Sequence, residues 1–162
     1  MEIAELLDFS PIQLRILIYV VVSMLLGAVV GLDRELADKP AGLRTHMLVA
    51  GSATLLVSLG QIIVREYDIN SEILRSDPIR IIEAIITGVS FLGAGTIIRR
   101  GVGKVQGLTT AATLLFVASV GICVALSKLL LAVGVTVIAL LTLRGVVFVE
   151  RRLGFGPKSS DD

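Results

Sequence analysis

The chain holds one cysteine and one histidine in 162 residues, and its net charge is only +1. A lone cysteine excludes a disulfide framework, and Cys123 and His46 do not form the spacings of a Cys/His metal site. With 15 basic and 14 acidic residues, bulk electrostatics give no reason to expect a nucleic-acid partner. The acidic start, MEIAELLDFSP, lacks the cationic segment of a signal peptide. No small-residue cleavage pattern follows the first apolar run, so that run is expected to stay in the mature protein. The chain has no GxxxxGK[ST] loop, no HExxH and no Ser/His/Asp or Cys/His constellation, so neither enzyme activity nor a cofactor is expected.

What is abundant is apolar sequence. The chain is 54% hydrophobic, its mean hydropathy is +0.89, and its 18% of charged residues falls in clusters. Five apolar runs emerge, at about residues 14–32, 45–64, 79–98, 108–126 and 129–149. Each is roughly long enough to cross about 30 Å of hydrocarbon at about 1.5 Å of rise per residue. A β-barrel would alternate apolar and polar residues instead. The expected fold is all-α, a polytopic membrane protein of about five transmembrane helices in one domain, 1–150. A short polar tail, 151–162, follows, with no soluble domain expected after it. Only Ser127 and Lys128 separate the last two runs, which predicts a tight antiparallel hairpin. Cys123 lies in an apolar run, where packing or lipid contact is expected.

Lys and Arg in the connections set the orientation. One side would hold Arg15, Arg65, Arg75, Arg80 and Lys128. The other would hold Arg34, Lys39, Arg44, Arg99, Arg100, Lys104, Arg151, Arg152 and Lys158. The richer side is expected to be cytoplasmic, with the N-terminus outside and the C-terminus inside.

Polar chemistry concentrates in GLDRELADKPAGLRTH, Gly31 to His46. Asp33 follows the first run, and a carboxylate at a helix C-terminus is unfavourable unless paired. Arg34 and Arg44 are the expected partners, with Arg44 the stronger candidate, and Glu35 would join the cluster. The alternatives are a salt-bridged connection between two spans and a site for an ion, a lipid headgroup or a protein partner. Lys39–Gly42 predicts a turn in which Pro40 fixes φ and Gly42 permits positive φ. Thr45 would cap the second span. His46 has no partner at metal-ligand spacing.

A second cluster, Gly88 to Arg100, carries Gly93-Ala94-Gly95 inside a span. A third, Gly101 to Thr113, carries Lys104, with Thr109 and Thr110 placed to cap the fourth run or to point hydroxyls inward. Arg99 belongs to the same expected cytoplasmic polar site as Asp33, Arg34, Glu35, Arg44, Thr45, Thr109 and Thr110. Glu83 and Arg144 are ionisable groups inside spans, where such groups snorkel or find partners. Small residues at Ser23, Gly27 and Gly31, and at Ala84, Gly88, Gly93 and Gly95, suit close helix packing, within one subunit or across a homodimer.

Three segments together, GLDRELADKPAGLRTHMLV, DPIRIIEAIITGVSFLGAGTIIRR and VQGLTTAATLL, resemble the MgtC/SapB family of bacterial inner-membrane proteins. The resemblance covers about residues 27–121. It implies a multi-pass protein of the bacterial inner membrane, linked to adaptation to low magnesium or acid and, in some pathogens, to virulence. It implies modulation of other membrane proteins, with transport of an ion such as Mg²⁺ as the alternative. The partners expected are the bilayer, other membrane proteins and a second copy of the chain. Two departures stand out. No counterpart of the soluble domain of the virulence proteins is expected after Asp162, and Thr109 stands where some members have Asn.

Overall fold

Each of the five apolar runs is a helix. The computed structural model describes residues 10–66, 78–99 and 105–153, with 65–66, 78, 98–99 and 146–153 described by their backbone alone. The helices are α1 (Pro11–Leu36), α2 (Leu43–Glu66), α3 (Pro78–Gly95), α4 (Leu108–Ala125) and α5 (Leu129–Leu153). Two short strands, β1 (Ile98–Arg99) and β2 (Val105–Gln106), pair antiparallel between α3 and α4, with Ile98 opposite Gln106. The segments 67–77, 100–104 and 154–162, with Arg75, Arg100, Lys104 and Lys158, lie outside the described residues.

The helix ends follow local chemistry. Ser10 caps α1 by accepting the Gln13 amide at 3.3 Å, and Pro11 occupies the first helical position, where its missing N–H costs nothing. α1 then continues to Leu36, one turn past the expected boundary, so Asp33, Arg34 and Glu35 are helical. It stops where Asp38 adopts φ 53°. The Asp38 and Lys39 amides donate back to the carbonyls of Glu35 and Arg34, which closes the last turn. The positive φ expected at Gly42 therefore falls on Asp38, a residue whose short polar side chain tolerates it. Ser127, at φ 59°, ends α4 in the same way and starts the short connection to α5.

α3 stops at Gly95, short of the expected 98, because the chain turns there into the β1–β2 pair. Thr96 and Ile97 donate to the carbonyls of Gly93 and Ala94. Gly107, at φ 95°, leads into α4, and a Cβ there would collide with the Thr96 carbonyl. Only glycine suits both demands.

Close backbone approach holds the bundle together. A Cβ on Gly27 would stand 2.6 Å from the His46 carbonyl oxygen, and one on Gly31 would stand 2.8 Å from Leu43 Cα, so α1 lies directly on α2. Gly121 brings α4 equally close to Ala50 of α2. Gly93 lies against Ala111. Gly88 and Gly95 do not take the within-chain packing role expected of them. No other part of the described chain lies within 4 Å of where their Cβ atoms would be. The reason is rotational: α3 turns Ile81, Ile85 and Val89 to the core instead, against Ala53, Val57, Ala118 and Ile122.

The exterior of this fold differs from that of a water-soluble domain. Ser23, His46, Thr54 and Thr110 are buried, while Phe91 is 85% exposed and Leu130 is 89% exposed. Such an exterior needs an apolar solvent. Among the described residues, α1, Leu43–Val64 of α2 and α4 are each long and apolar enough to cross a membrane, and Leu129–Gly145 is a shorter apolar helix.

Candidate functional site

At the end of the bundle where α1 finishes and α2 begins, three connections tie four helices together. The first is ionic. Asp33 is buried, and Arg34 donates to its Oδ2 through Nε at 3.0 Å and Nη2 at 2.5 Å. Arg144 of α5 donates to Oδ1 through Nε at 2.7 Å. Both carboxylate oxygens thus receive a guanidinium, and the cluster is left with one excess positive charge. Its two cations differ in setting: the Arg34 side chain is buried, whereas that of Arg144 is 68% exposed.

The second connection is a helix cap supplied from a distance. Glu35 Oε2 accepts the Leu43 amide at 2.7 Å. That amide opens α2, where backbone donors lack intrahelical partners and a carboxylate meets the positive end of the helix dipole. Gly42 leaves room for it, since a Cβ there would stand 2.7 Å from the same oxygen. Glu35, eight residues upstream, does the work expected of Thr45, which instead lies inside α2.

The third connection is His46, wholly buried in α2. Its Nδ1 stands 2.8 Å from the Gly42 carbonyl, which can only accept, so Nδ1 carries a proton. Its Nε2 stands 3.0 Å from Thr113 Oγ1 of α4. That hydroxyl also stands 2.9 Å from the Thr110 carbonyl. In the neutral ring Nε2 accepts the Thr113 proton, so one hydroxyl proton is shared between imidazole and carbonyl. His46 lies against Gly31, one turn along α1 from Arg34, which places this polar pair beside the ionic one.

Other expected members are positioned differently. Arg44 is exposed on the first turn of α2 and is not a partner of Asp33. The extra turn of α1 carries Asp33 toward α5, and Arg144 reaches it there. Thr109 is exposed and Thr110 is buried, and α4 is entered through Gly107 with no side-chain cap. Glu83 is exposed on α3 near the other end of the bundle. The side chain of Arg99 lies outside the described residues. Thr113 was missed in the sequence; its spacing of three from Thr110, on one face of a helix, was the available signal.

A cleft of about 670 Å³ opens beside the ionic cluster, between α1 and α5. Val29, Leu32, Val137 and Leu141 line it, and Asp33 and Arg144 form its polar end. Among the described residues, no three His, Cys, Asp or Glu side chains stand close enough to share a metal ion.

A buried carboxylate between two guanidiniums, inside helices whose outer faces are apolar, defines a helical membrane protein with a polar core at one end. The chain belongs to the MgtC family, whose model matches residues 20–152. It is 35% identical to Protein SrpB of Synechococcus elongatus over 89% of this chain and 79% of that one. It is 32% identical to Protein SapB of Bacillus subtilis over 86% of this chain and 60% of that one. It is 39% identical to Protein MgtC of Salmonella typhimurium over 73% of this chain and 46% of that one. An uncharacterized protein of Haemophilus influenzae is 36% identical over 88% of this chain, which spans 60% of that protein's length. No solved structure matches.

Proposed function

We propose that this chain is a non-enzymatic, five-span protein of the bacterial inner membrane that modulates other membrane proteins under low magnesium, acid or related stress. Its N-terminus lies outside and the Asp33 cluster faces the cytoplasm. Family membership supports the link to magnesium limitation, and the excess of Lys and Arg on the Asp33 side supports the orientation.

The observation that carries the choice between regulator and carrier is the occupancy of Asp33. Both of its oxygens accept from guanidiniums, at 2.5 Å and 2.7 Å. Magnesium takes oxygen ligands and holds its waters tightly. A Mg²⁺ ion would have to displace two cations from a cluster that is already positive. Glu83 cannot assist, since it stands toward the far end of another helix. The cluster is built to brace α1 against α5, beside a lateral cleft open to a neighbouring protein in the membrane.

The test compares two measurements on one set of variants. Capture of the chain from native membranes at natural expression is expected to retain a membrane-protein partner, and Asp33→Ala is expected to lose it. Proteoliposomes holding the folded chain are expected to show no Mg²⁺ flux above protein-free vesicles. Flux that disappears in Asp33→Ala and Glu83→Ala would replace this reading with the carrier.

A further inference from the structure

The opposite end of the bundle holds a cavity of about 260 Å³ that the Asp33 cluster does not touch. Arg15 and Tyr19 of α1, Ser58 and Gln61 of α2, and Ser127 of the α4–α5 connection supply its polar lining.

Ser58 is its most informative member. Hydroxyls inside these helices normally return to their own backbone. Thr54, Thr87, Ser119, Thr136 and Thr142 each donate to the carbonyl one turn before. Ser58 is 5% exposed, and among the described residues its Oγ is the buried side-chain polar atom with no hydrogen-bond partner. An unmet buried hydroxyl costs about 1–3 kcal/mol, and Ser58 lines the polar cavity, so a group bound there is the partner its position points to.

The rest of the lining is rich in donors. Tyr19 Oη and Ser127 Oγ stand 3.0 Å apart. Their two protons serve one mutual bond, so whichever group donates, one proton remains for a third atom. Gln61 adds an amide. Arg15 supplies the charge, and its guanidinium is held 6.0 Å from the Tyr19 ring. The described lining contains no carboxylate. Of the carbonyls at the end of α4, those of Ile122, Cys123 and Val124 already accept the amides of Leu126, Lys128 and Ser127.

We propose that this cavity is a second binding site, which takes an oxyanion of the phosphate class. Arg15 would neutralise its charge, and the hydroxyls of Ser58 and of the Tyr19–Ser127 pair would donate to its oxygens. At about 30 Å³ per water in the liquid, the volume suits a phosphate group with a small substituent. It lies at the helix ends, the level of a lipid headgroup, so the phosphate can come from a lipid or from solution.

The experiment separates those sources. The full chain in detergent is titrated with inorganic phosphate by calorimetry. In parallel, native mass spectrometry counts the phosphatidylglycerol retained from mixed nanodiscs with phosphatidylcholine. Arg15→Gln and Ser58→Ala are each expected to weaken binding about tenfold, which corresponds to about 1.4 kcal/mol. Lys39→Gln, which removes the same charge at the other end, is expected to leave binding within about twofold. Binding in the phosphate arm assigns a free oxyanion, and selective retention in the lipid arm alone assigns a headgroup. Arg15→Gln changes an exposed side chain, so its effect on binding is read on a folded chain. The proposal is overturned if neither probe binds, if binding survives Arg15→Gln, or if Lys39→Gln weakens it as much as Arg15→Gln does.

Discussion

The two ends of this bundle use polar groups in opposite ways. At the Asp33 end the charges are spent on one another: Arg34 and Arg144 on Asp33, Glu35 on the Leu43 amide, and His46 on Gly42 and Thr113. At the Ser58 end a buried hydroxyl has no partner, and a cavity with a cation stands beside it. Satisfied polar groups in an apolar setting fix geometry; unsatisfied ones offer it to something else. The difference teaches that burial alone does not distinguish a brace from a receptor. Partner counting does.

The sharpest way to break the comparison is Asp33→Ala. It strands the buried Arg34 guanidinium, and unfolding in detergent, followed by denaturant titration, is expected to show a loss of about 3 kcal/mol or more. Gly31→Leu comes next, since its side chain has no space between α1 and Leu43. A loss of about 2 kcal/mol is expected in the same assay, with α1–α2 crosslinking lowered. Arg144→Ala is expected to cost about 1 kcal/mol or less, because that partner of Asp33 is mostly exposed. A cost as large as that of Asp33→Ala would mean that α5, rather than Arg34, holds the cluster.

At the other end the sign reverses. Ser58→Ala removes an unmet hydroxyl and is expected to raise stability by up to about 1 kcal/mol, while Thr54→Ala, one turn away, lowers it. Thr54 differs because its hydroxyl stands within bonding distance of both the Ala50 and Gly121 carbonyls. The smallest effect is expected at Gly88→Ala, which enters open space and should shift the melting temperature little, in the stabilising direction given alanine's helix propensity. A large loss there would reveal an occupant against the open face of α3.

Much of the fold was legible because long apolar runs favour helices. An apolar run of sufficient length has one way to satisfy its backbone in hydrocarbon; the five runs read from the chain are five helices, and three of them, among the described residues, are long and apolar enough to cross a membrane. The site was legible only in part. That Asp33 needs a cation follows from its place at a helix end, and the sequence supports that much. Which cation cannot be read locally. Arg44 is eleven residues away and Arg144 is 111 residues away, and chain separation says nothing about distance once helices pack side by side. The Glu35 cap on Leu43 was hidden for a similar reason: a capping residue is sought next to the helix it caps, and here it arrives from the preceding one. Whether Gly88 and Gly95 meet a neighbour within the chain was hidden too, because spacing marks a helix face without saying which way the helix is turned.

The sequence by itself determined the class, the helices and the family, since those depend on composition, run length and local motifs. It also determined that charge concentrates in Gly31–His46 and that Asp33 needs a cation there. Only the tertiary structure decided the pairing of Asp33 with Arg144, the bond from His46 to Thr113, and the unpartnered state of Ser58. Each of these depends on which helix faces which, and that is set by where glycines such as Gly27, Gly31 and Gly121 let two backbones touch.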